Sequence, residues 1–222
     1  IKDAKSVVVL VAHIPAGVGE VAGYRLVELP GEAGLSPDTV YLNLPFGEDL
    51  YISSKDGKMV KSPKSYGPYA WFGYGLLNYE LNFAGARIAR FLENKGYIAL
   101  PIPATGMPHR YFRMGDFSHR HAAVAAGLGE LGLNRLLMTP QYGSYQRIIS
   151  IITTAPLEED PMYNGPKLCD PEKCGYRCVK MCPVGALEGE VSVIIGNREF
   201  KYSGLNEIRC RWAVRGLYRG TG

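Results

Sequence analysis

Long apolar runs, basic blocks and targeting signals are what this chain lacks. Its longest uninterrupted apolar stretch, Val7–Ala12, spans six residues, far below the roughly 20 that a membrane-crossing helix needs. No N-terminal pattern of a secretory signal is visible, and no more than two Lys or Arg residues are adjacent anywhere. The formal net charge of +4 is too small to argue for a nucleic-acid partner. Neither an internal repeat nor a low-complexity segment is present. Cysteine is sparse as well, with five in 222 residues, and an odd count fits a disulfide framework poorly. A chain of this length with 46% apolar residues can bury a sizeable core without such staples. It begins at Ile1 instead of Met, so further residues are expected before it. A thiolate-rich chain without a secretion signal is expected in the cytoplasm.

The few cysteines are unevenly placed. Cys169, Cys174, Cys178 and Cys182 fall within fourteen residues, and Pro183 follows the last of them. The bacterial iron–sulfur run is C-x2-C-x2-C-x3-C-P. Cys178-x3-Cys182-Pro183 matches its second half, while the first two gaps are stretched to four and three residues. Thiolates converging from a tight loop suit a [4Fe–4S] cluster, and a proline, unable to continue a helix, turns the chain away after the last ligand. Zinc and unligated thiols are the competing readings. Zinc sites usually pair two short Cys units across a longer gap, so iron–sulfur leads. Cys169, Cys174 and Cys178 are the surest ligands, with Cys182 or Cys210 completing the set. A 2+ core held by four thiolates adds a net charge of about −2 to the formal count.

Strand and helix signals alternate along the chain. Ser6–Ala12 reads as a buried strand, central in a sheet. Thr39–Leu44 and Asp49–Ser53 are short strand candidates, the second followed by a turn at Lys55-Asp56-Gly57-Lys58. Leu77, Leu81, Ala84, Ile88 and Phe91 recur at helical spacing, which predicts a helix over about 75–95 with Gly96 just past its end. Tyr97–Ile102 reads as a strand that Pro103 ends. Ser118 reads as the N-cap of a helix from His119 to Ala126, and Asn134–Met138 as a short strand or helical turn. Arg147–Thr154 is a second buried strand. Val191–Ile195 and Arg198–Tyr202 flank Gly196-Asn197 as a β-hairpin. The fold class is α/β (α+β), with a larger domain over 1–160 and a cysteine-rich domain over 161–222.

Gly127-Leu-Gly129-Glu-Leu-Gly132 satisfies G-x-G-x-x-G. That pattern signals dinucleotide binding only between a strand and a helix N-terminus. Here the preceding segment reads as helix, so a tight loop packed in the core is the plainer expectation. Close backbone approach to a flat cofactor at Gly127, Gly129 and Gly132 is the functional reading.

From Ser118 to Gly143 the chain resembles a segment shared by epoxyqueuosine reductases and corrinoid-dependent reductive dehalogenases. Those families carry an Ala-Gly-Leu-Gly-x-x-Gly loop, a Leu-Ile/Leu-x-Pro-x-Tyr-Gly stretch, a strand ending in Thr-Asp-x-Pro-Leu, and then the cysteines. The same order is found here in Ala126–Gly132, Leu136–Gly143, Ile148–Leu157 and Cys169–Cys182. Leu205-Asn-Glu-Ile-Arg-Cys210 resembles the family's Leu-Asp-x-x-Arg-Cys element. The resemblance covers about residues 76–210. It implies a nitroreductase-like domain holding cobalamin, followed by a ferredoxin-like domain whose [4Fe–4S] cluster feeds electrons to cobalt for reduction of a small organic substrate. An electron donor such as a ferredoxin or flavodoxin is implied with it. Two clusters are usual in the family. Cys169, Cys174 and Cys178 would then serve the first, and Cys182 and Cys210 the second. This chain departs from that pattern, because no cysteine follows Cys210. The alternative is an electron-transfer module of ferredoxin type without a corrinoid.

The segment His109–His121 is rich in titratable side chains. Its bland reading is a polar helix entry, and its sharp reading makes Tyr111, Asp116 or His119 a proton donor for a reductive step. Asp116 lies near the position of the family's acidic residue, at a different distance from the glycine loop. The aromatic cluster Tyr66, Tyr69, Trp71, Phe72 and Tyr74 reads as core or interface, with a lid over a macrocycle as its functional counterpart. His13 reads as a satisfied histidine at a strand end. Arg147, at a strand start, is a candidate for cofactor phosphate or amide groups.

Overall fold

The computed structural model describes residues 1–20, 40–41, 50–53, 59–62, 69–105, 115, 117–182 and 184–214. Tyr66, Tyr111 and Asp116, together with the Lys55–Lys58 turn, lie outside that set. The protein is a mixed α/β chain built on small sheets. The first elements are β1 (Ser6–His13), a short α1 (Ala16–Glu20), β2 (Val40–Tyr41), β3 (Leu50–Ser53) and β4 (Met59–Ser62). A π-helical segment, Tyr69–Leu76, runs into α2 (Leu77–Asn94). Next come β5 (Ala99–Ile102), α3 (His119–Ala125), β6 (Glu130–Leu131), β7 (Leu137–Met138) and β8 (Gln146–Thr153). The chain closes through α4 (Pro171–Cys174), α5 (Arg177–Lys180), β9 (Leu187–Ile195), β10 (Arg198–Leu205) and α6 (Glu207–Val214).

Two compact units divide the chain. One takes Ile1–Tyr24, Pro68–Asp170 and Ser192–Tyr202; the other takes Arg25–Gly67, Pro171–Val191 and Ser203–Gly222. This division is discontinuous, unlike the consecutive stretches 1–160 and 161–222 read from the sequence. The hairpin is one reason. Ile195 beside its turn and Tyr202 midway along β10 are buried in the first unit with Ala123, Val124, Leu131 and Leu137, while its base is counted with the second unit.

The first unit is organised on an antiparallel sheet of order β1-β8-β5. Ser6 pairs with Thr153 and His13 with Gln146 along β1 and β8, and Ala99 faces Thr153 on β5. The central place expected for the first strand belongs instead to β8, and β1 is an edge among the described strands. Nor is β1 buried: its apolar side chains are half-covered and Val7 is exposed, because a run of Val and Leu reports strand propensity, whereas which strand gains two hydrogen-bonded neighbours is a matter of tertiary pairing. β8 carries four of the five largest fully buried side chains, Ile149, Ser150, Ile151 and Thr153. Thr153 Oγ1 donates to the Ile98 carbonyl at 2.8 Å, so its buried hydroxyl is satisfied.

Helix α2 packs on this sheet with a different face from the one the apolar spacing picks out. Leu77 and Leu81 are buried as expected, but the buried line continues through Gly85, Ala89 and Leu92. A Cβ on Gly85 would meet Ile149 Cδ1 at 2.7 Å. Small residues thus let the helix approach β8 closely, and periodicity weighted by large apolar side chains misses that. The outward face leaves Phe72, Leu76, Tyr79, Phe83 and Phe91 exposed. Of the aromatic cluster, Phe72 therefore does not serve as core, and Tyr74 lies half-buried beneath Arg147.

Candidate functional site

In the second unit, α4 ends at Cys174 and α5 carries Cys178. Gly175 and Tyr176 between them both adopt positive φ, +67° and +58°. Two consecutive left-handed residues break the helix and turn the chain sharply. Cys182 follows α5, and the loop after it folds back over its sulfur, with the Ala186 N–H donating to Cys182 Sγ at 3.2 Å. Burial pushes the Cys182 thiol up, yet hydrogen bonds from the N–H groups of Ala186, Val184, Leu187 and Gly185 outweigh it and hold the thiol below its ordinary value. A ring of backbone donors of this kind stabilises a thiolate. Cys210 lies on α6, which is tied to the same loop: Asn206 N–H donates to the Ala186 carbonyl at 2.8 Å, and Arg209 pairs with Glu188 at 3.1 Å.

Cys169 belongs to the first unit, where it has a sulfur bond of its own. The Leu133 N–H donates to Cys169 Sγ at 3.2 Å. Nearby, Leu168 N–H donates to Glu130 Oε2 at 2.9 Å and fastens that segment to β6. Among the described residues, no three Cys, His, Asp or Glu side chains are gathered as a metal would require. What suits a cluster is the donor chemistry, since sulfurs that accept backbone N–H bonds are characteristic of thiolate-held iron and tune its potential.

The glycine loop follows α3 and leads into β6, which reverses the strand–loop–helix order that a dinucleotide site needs. Internal packing accounts for its glycines. A Cβ on Gly127 would collide with the Pro161 carbonyl, and one on Gly129 with the Met138 carbonyl. Gly127 also sits at φ +77°. A Cβ on Gly132 would meet Asn134 Oδ1 at 2.7 Å. The stretch Leu136–Gly143 is held from beneath by buried Gln146. Its amide donates to the carbonyls of Leu137 (3.0 Å) and Gly143 (2.8 Å), and its oxygen accepts from Thr139 Oγ1 (2.8 Å).

Ser118 occupies the N-cap of α3 in extended geometry, without a side-chain cap bond. Its neighbour His119 is engaged at both ring nitrogens: Nε2 lies 3.1 Å from the Pro103 carbonyl, and Nδ1 lies 2.9 Å from Ser150 Oγ. Nε2–H donating to Pro103 leaves Nδ1 to accept the Ser150 hydroxyl, so these partners suit the neutral ring. Burial pushes the His119 pKa below 6.5, against the raising effect of the Pro103 bond, and Arg147 lowers it further. His121 is lowered as well, by burial and then by Arg120 and Arg135. With both folded pKa values below the unfolded value, the unfolded chain takes up protons first as pH falls. Stability is therefore full above about pH 6.5 and is lost below it. Urea midpoints measured between about pH 7.5 and 5.5 should fall. His119→Gln should flatten that slope and leave the share of His121. An unchanged slope would show that His119 titrates alike in both states.

His13 stacks on Tyr142 with ring centroids 4.6 Å apart. Arg147 donates from Nε to Asn78 Oδ1 at 2.8 Å, with its guanidinium 4.6 Å over the Tyr74 ring. The sequence reading gave Arg120 and Asn78 no role, and nothing in their local pattern marks them. Both draw notice only through what the fold sets beside them.

No family model matches the chain. Over 78 residues it is 42% identical to an epoxyqueuosine reductase of Listeria monocytogenes, covering 34% of this chain and 19% of that protein. Over 188 residues it is 28% identical to a tetrachloroethene reductive dehalogenase of Dehalobacter restrictus, covering 80% of this chain and 29% of that one. The chain thus spans about a fifth to a third of the length of these relatives. Among solved structures, an epoxyqueuosine reductase in complex with an epoxyqueuosine-modified tRNA-Tyr stem loop aligns with a TM-score of 0.47 at 20% identity, over 84% of this chain and 37% of that one. The expectation against a nucleic-acid partner rested on the small net charge and on the absence of a Lys/Arg block in the sequence, neither of which reports how charge is distributed over the folded surface. Among the described residues no helix is long and apolar enough to cross a membrane. The chain is a relative of oxidoreductases, similar to epoxyqueuosine reductases over its C-terminal region at 33–42% identity and to reductive dehalogenases over most of its length.

Proposed function

We propose that this chain is part of an iron–sulfur reductase in which a [4Fe–4S] cluster delivers electrons to a corrinoid that reduces an organic substrate. The observation that carries the reading is the cysteine run whose last sulfur, on Cys182, is ringed by backbone donors, in a chain whose relatives are reductases by name. Cys169, Cys174 and Cys178 would hold the cluster, completed by Cys182, with Cys210 as the alternative fourth ligand. Bound there, the cluster supplies single electrons from a donor such as a ferredoxin or flavodoxin. The chain's own part is to present thiolates and solvate their charge with N–H groups, as Leu133 does for Cys169 and Ala186 for Cys182. The nitroreductase-like and ferredoxin-like arrangement belongs to this proposal, as do Tyr111, Asp116 and His119 as proton-donor candidates.

The corrinoid rests on the resemblance. One cavity, lined by His119, Arg120, Gln146 and Arg147 and about 150 Å3 in volume, is far smaller than a macrocycle and does not fit one. A nucleic-acid substrate is admissible, as the tRNA-bound neighbour illustrates for its own protein. A plain electron carrier is less favoured, because the named relatives are enzymes. The test is anaerobic reconstitution with iron and sulfide, incubation with cobalamin, gel filtration, and a count of iron and cobalt. About four irons per cluster with retained cobalt is the expected result. Iron without cobalt would favour the carrier, and stoichiometric zinc in place of iron would overturn both.

A further inference from the structure

Arg120 on α3 and Arg147 on β8 open into one cavity of about 150 Å3 in the first unit, whose walls include His119, Ser144 and Gln146. Gln146 and His119 are committed to partners within the protein. The two guanidiniums are not saturated. Arg147 is oriented by Asn78 and by the Tyr74 ring, and its terminal nitrogens meet no acceptor among the described residues. Arg120 donates from one terminal nitrogen to the Arg135 carbonyl. No carboxylate among the described residues pairs with either. Burial first, and repulsion from Arg135 second, push Arg120 below its usual value. Two half-buried like charges on one cavity carry a desolvation cost that a bound anion offsets.

We infer that this cavity binds a dianionic phosphate group between the guanidiniums of Arg120 and Arg147. Charge selects phosphate over carboxylate, because a phosphate monoester carries roughly −1.5 to −2 near neutral pH and matches two cations, whereas a carboxylate leaves one unmatched. Geometry agrees, since a guanidinium presents a planar fork of donors suited to phosphate oxygens, and Arg147 has its fork fixed in advance. Size agrees as well. Sites for whole small molecules run to roughly 300–1,000 Å3, so this cavity takes the ion itself or the phosphate end of a larger ligand. The site stands on these contacts alone and is independent of the redox reading.

Titrating inorganic phosphate into the full chain at about pH 8, where it is dianionic, in low-salt chloride buffer and following heat tests the site. Phosphate should bind at least about tenfold more tightly than acetate, and Arg147→Gln should weaken it at least about tenfold, the loss of one charge-assisted hydrogen bond. Arg120→Gln should do the same and Arg120→Lys should recover part of it, with circular dichroism checking that each variant is folded. Exposed Arg87 on α2 provides the reference, because Arg87→Gln should leave phosphate binding unchanged. Equal weakening by Arg87→Gln would reduce the effect to net charge and overturn the site. Acetate binding as tightly as phosphate would overturn the ligand class, and no saturable heat in the wild-type chain would overturn the inference altogether.

Discussion

Cys182→Ser is expected to strip the reconstituted protein of most of its iron on desalting, while Cys210→Ser retains it. The loop that follows Cys182 explains the asymmetry. Ala186 donates to the Cys182 sulfur at 3.2 Å, and the neighbouring N–H groups of Val184, Leu187 and Gly185 help to hold its thiol below the ordinary value. A thiolate so surrounded keeps its charge at little cost when it enters a metal's coordination sphere. Serine replaces a soft, polarisable ligand with a hard oxygen that binds iron–sulfur clusters poorly. Cys210 sits one turn into α6, reached only through the hairpin of β9 and β10. Iron per chain, with the electron spin resonance of the reduced state, separates the cases. Iron kept by Cys182→Ser and lost by Cys210→Ser would reverse the ligand assignment, and iron lost by both would mean that each is needed.

Gly129→Ala is expected to destabilise the first unit by at least about 3 kcal/mol, the upper range for overpacking, because its methyl group would strike the backbone carbonyl of Met138. A backbone atom in β7 cannot rotate aside as a side chain can, so the strand itself must move. Leu137 beside it is buried in the core with Val124, Ile195 and Tyr202, so the displacement spreads. Gly17 gives the contrast. It lies in α1, and a methyl group there would have nothing within 4 Å of it. Gly17→Ala should therefore be neutral or stabilise by up to about 1 kcal/mol through helix propensity. Denaturant midpoints decide, and equal shifts for the two variants would show that the loop yields freely.

Much of the secondary structure was legible in the sequence because it rests on local chemistry. Gly196, at φ +59°, and Asn197 mark the hairpin turn, and strands β9 and β10 extend on either side of it. Ser118 stands at the start of α3, and Gly96, at φ +87°, follows α2. Leu77 and Leu81 identified α2 but not its buried face, which Gly85 and Ala89 define by what they leave out. Likewise the apolar run in β1 identified a strand but overstated its burial, since its side chains stay half-buried with Val7 exposed, while the central, buried position in the sheet went to β8.

By itself the sequence determined the thiol-rich segment, the α/β character and the resemblance to reductases, since residue type and spacing along the chain are enough for each. Tertiary structure alone decided which backbone groups meet. It supplied the N–H donors on Cys169 and Cys182, filled the space beside Gly127 and Gly129 with the chain's own carbonyls, and set Arg120 and Arg147 on one cavity. The physical reason is common to all three. Hydrogen bonds, steric exclusion and charge proximity act over a few ångströms of space, and residues 27 positions apart in the chain, as Arg120 and Arg147 are, share no local pattern that could announce their meeting.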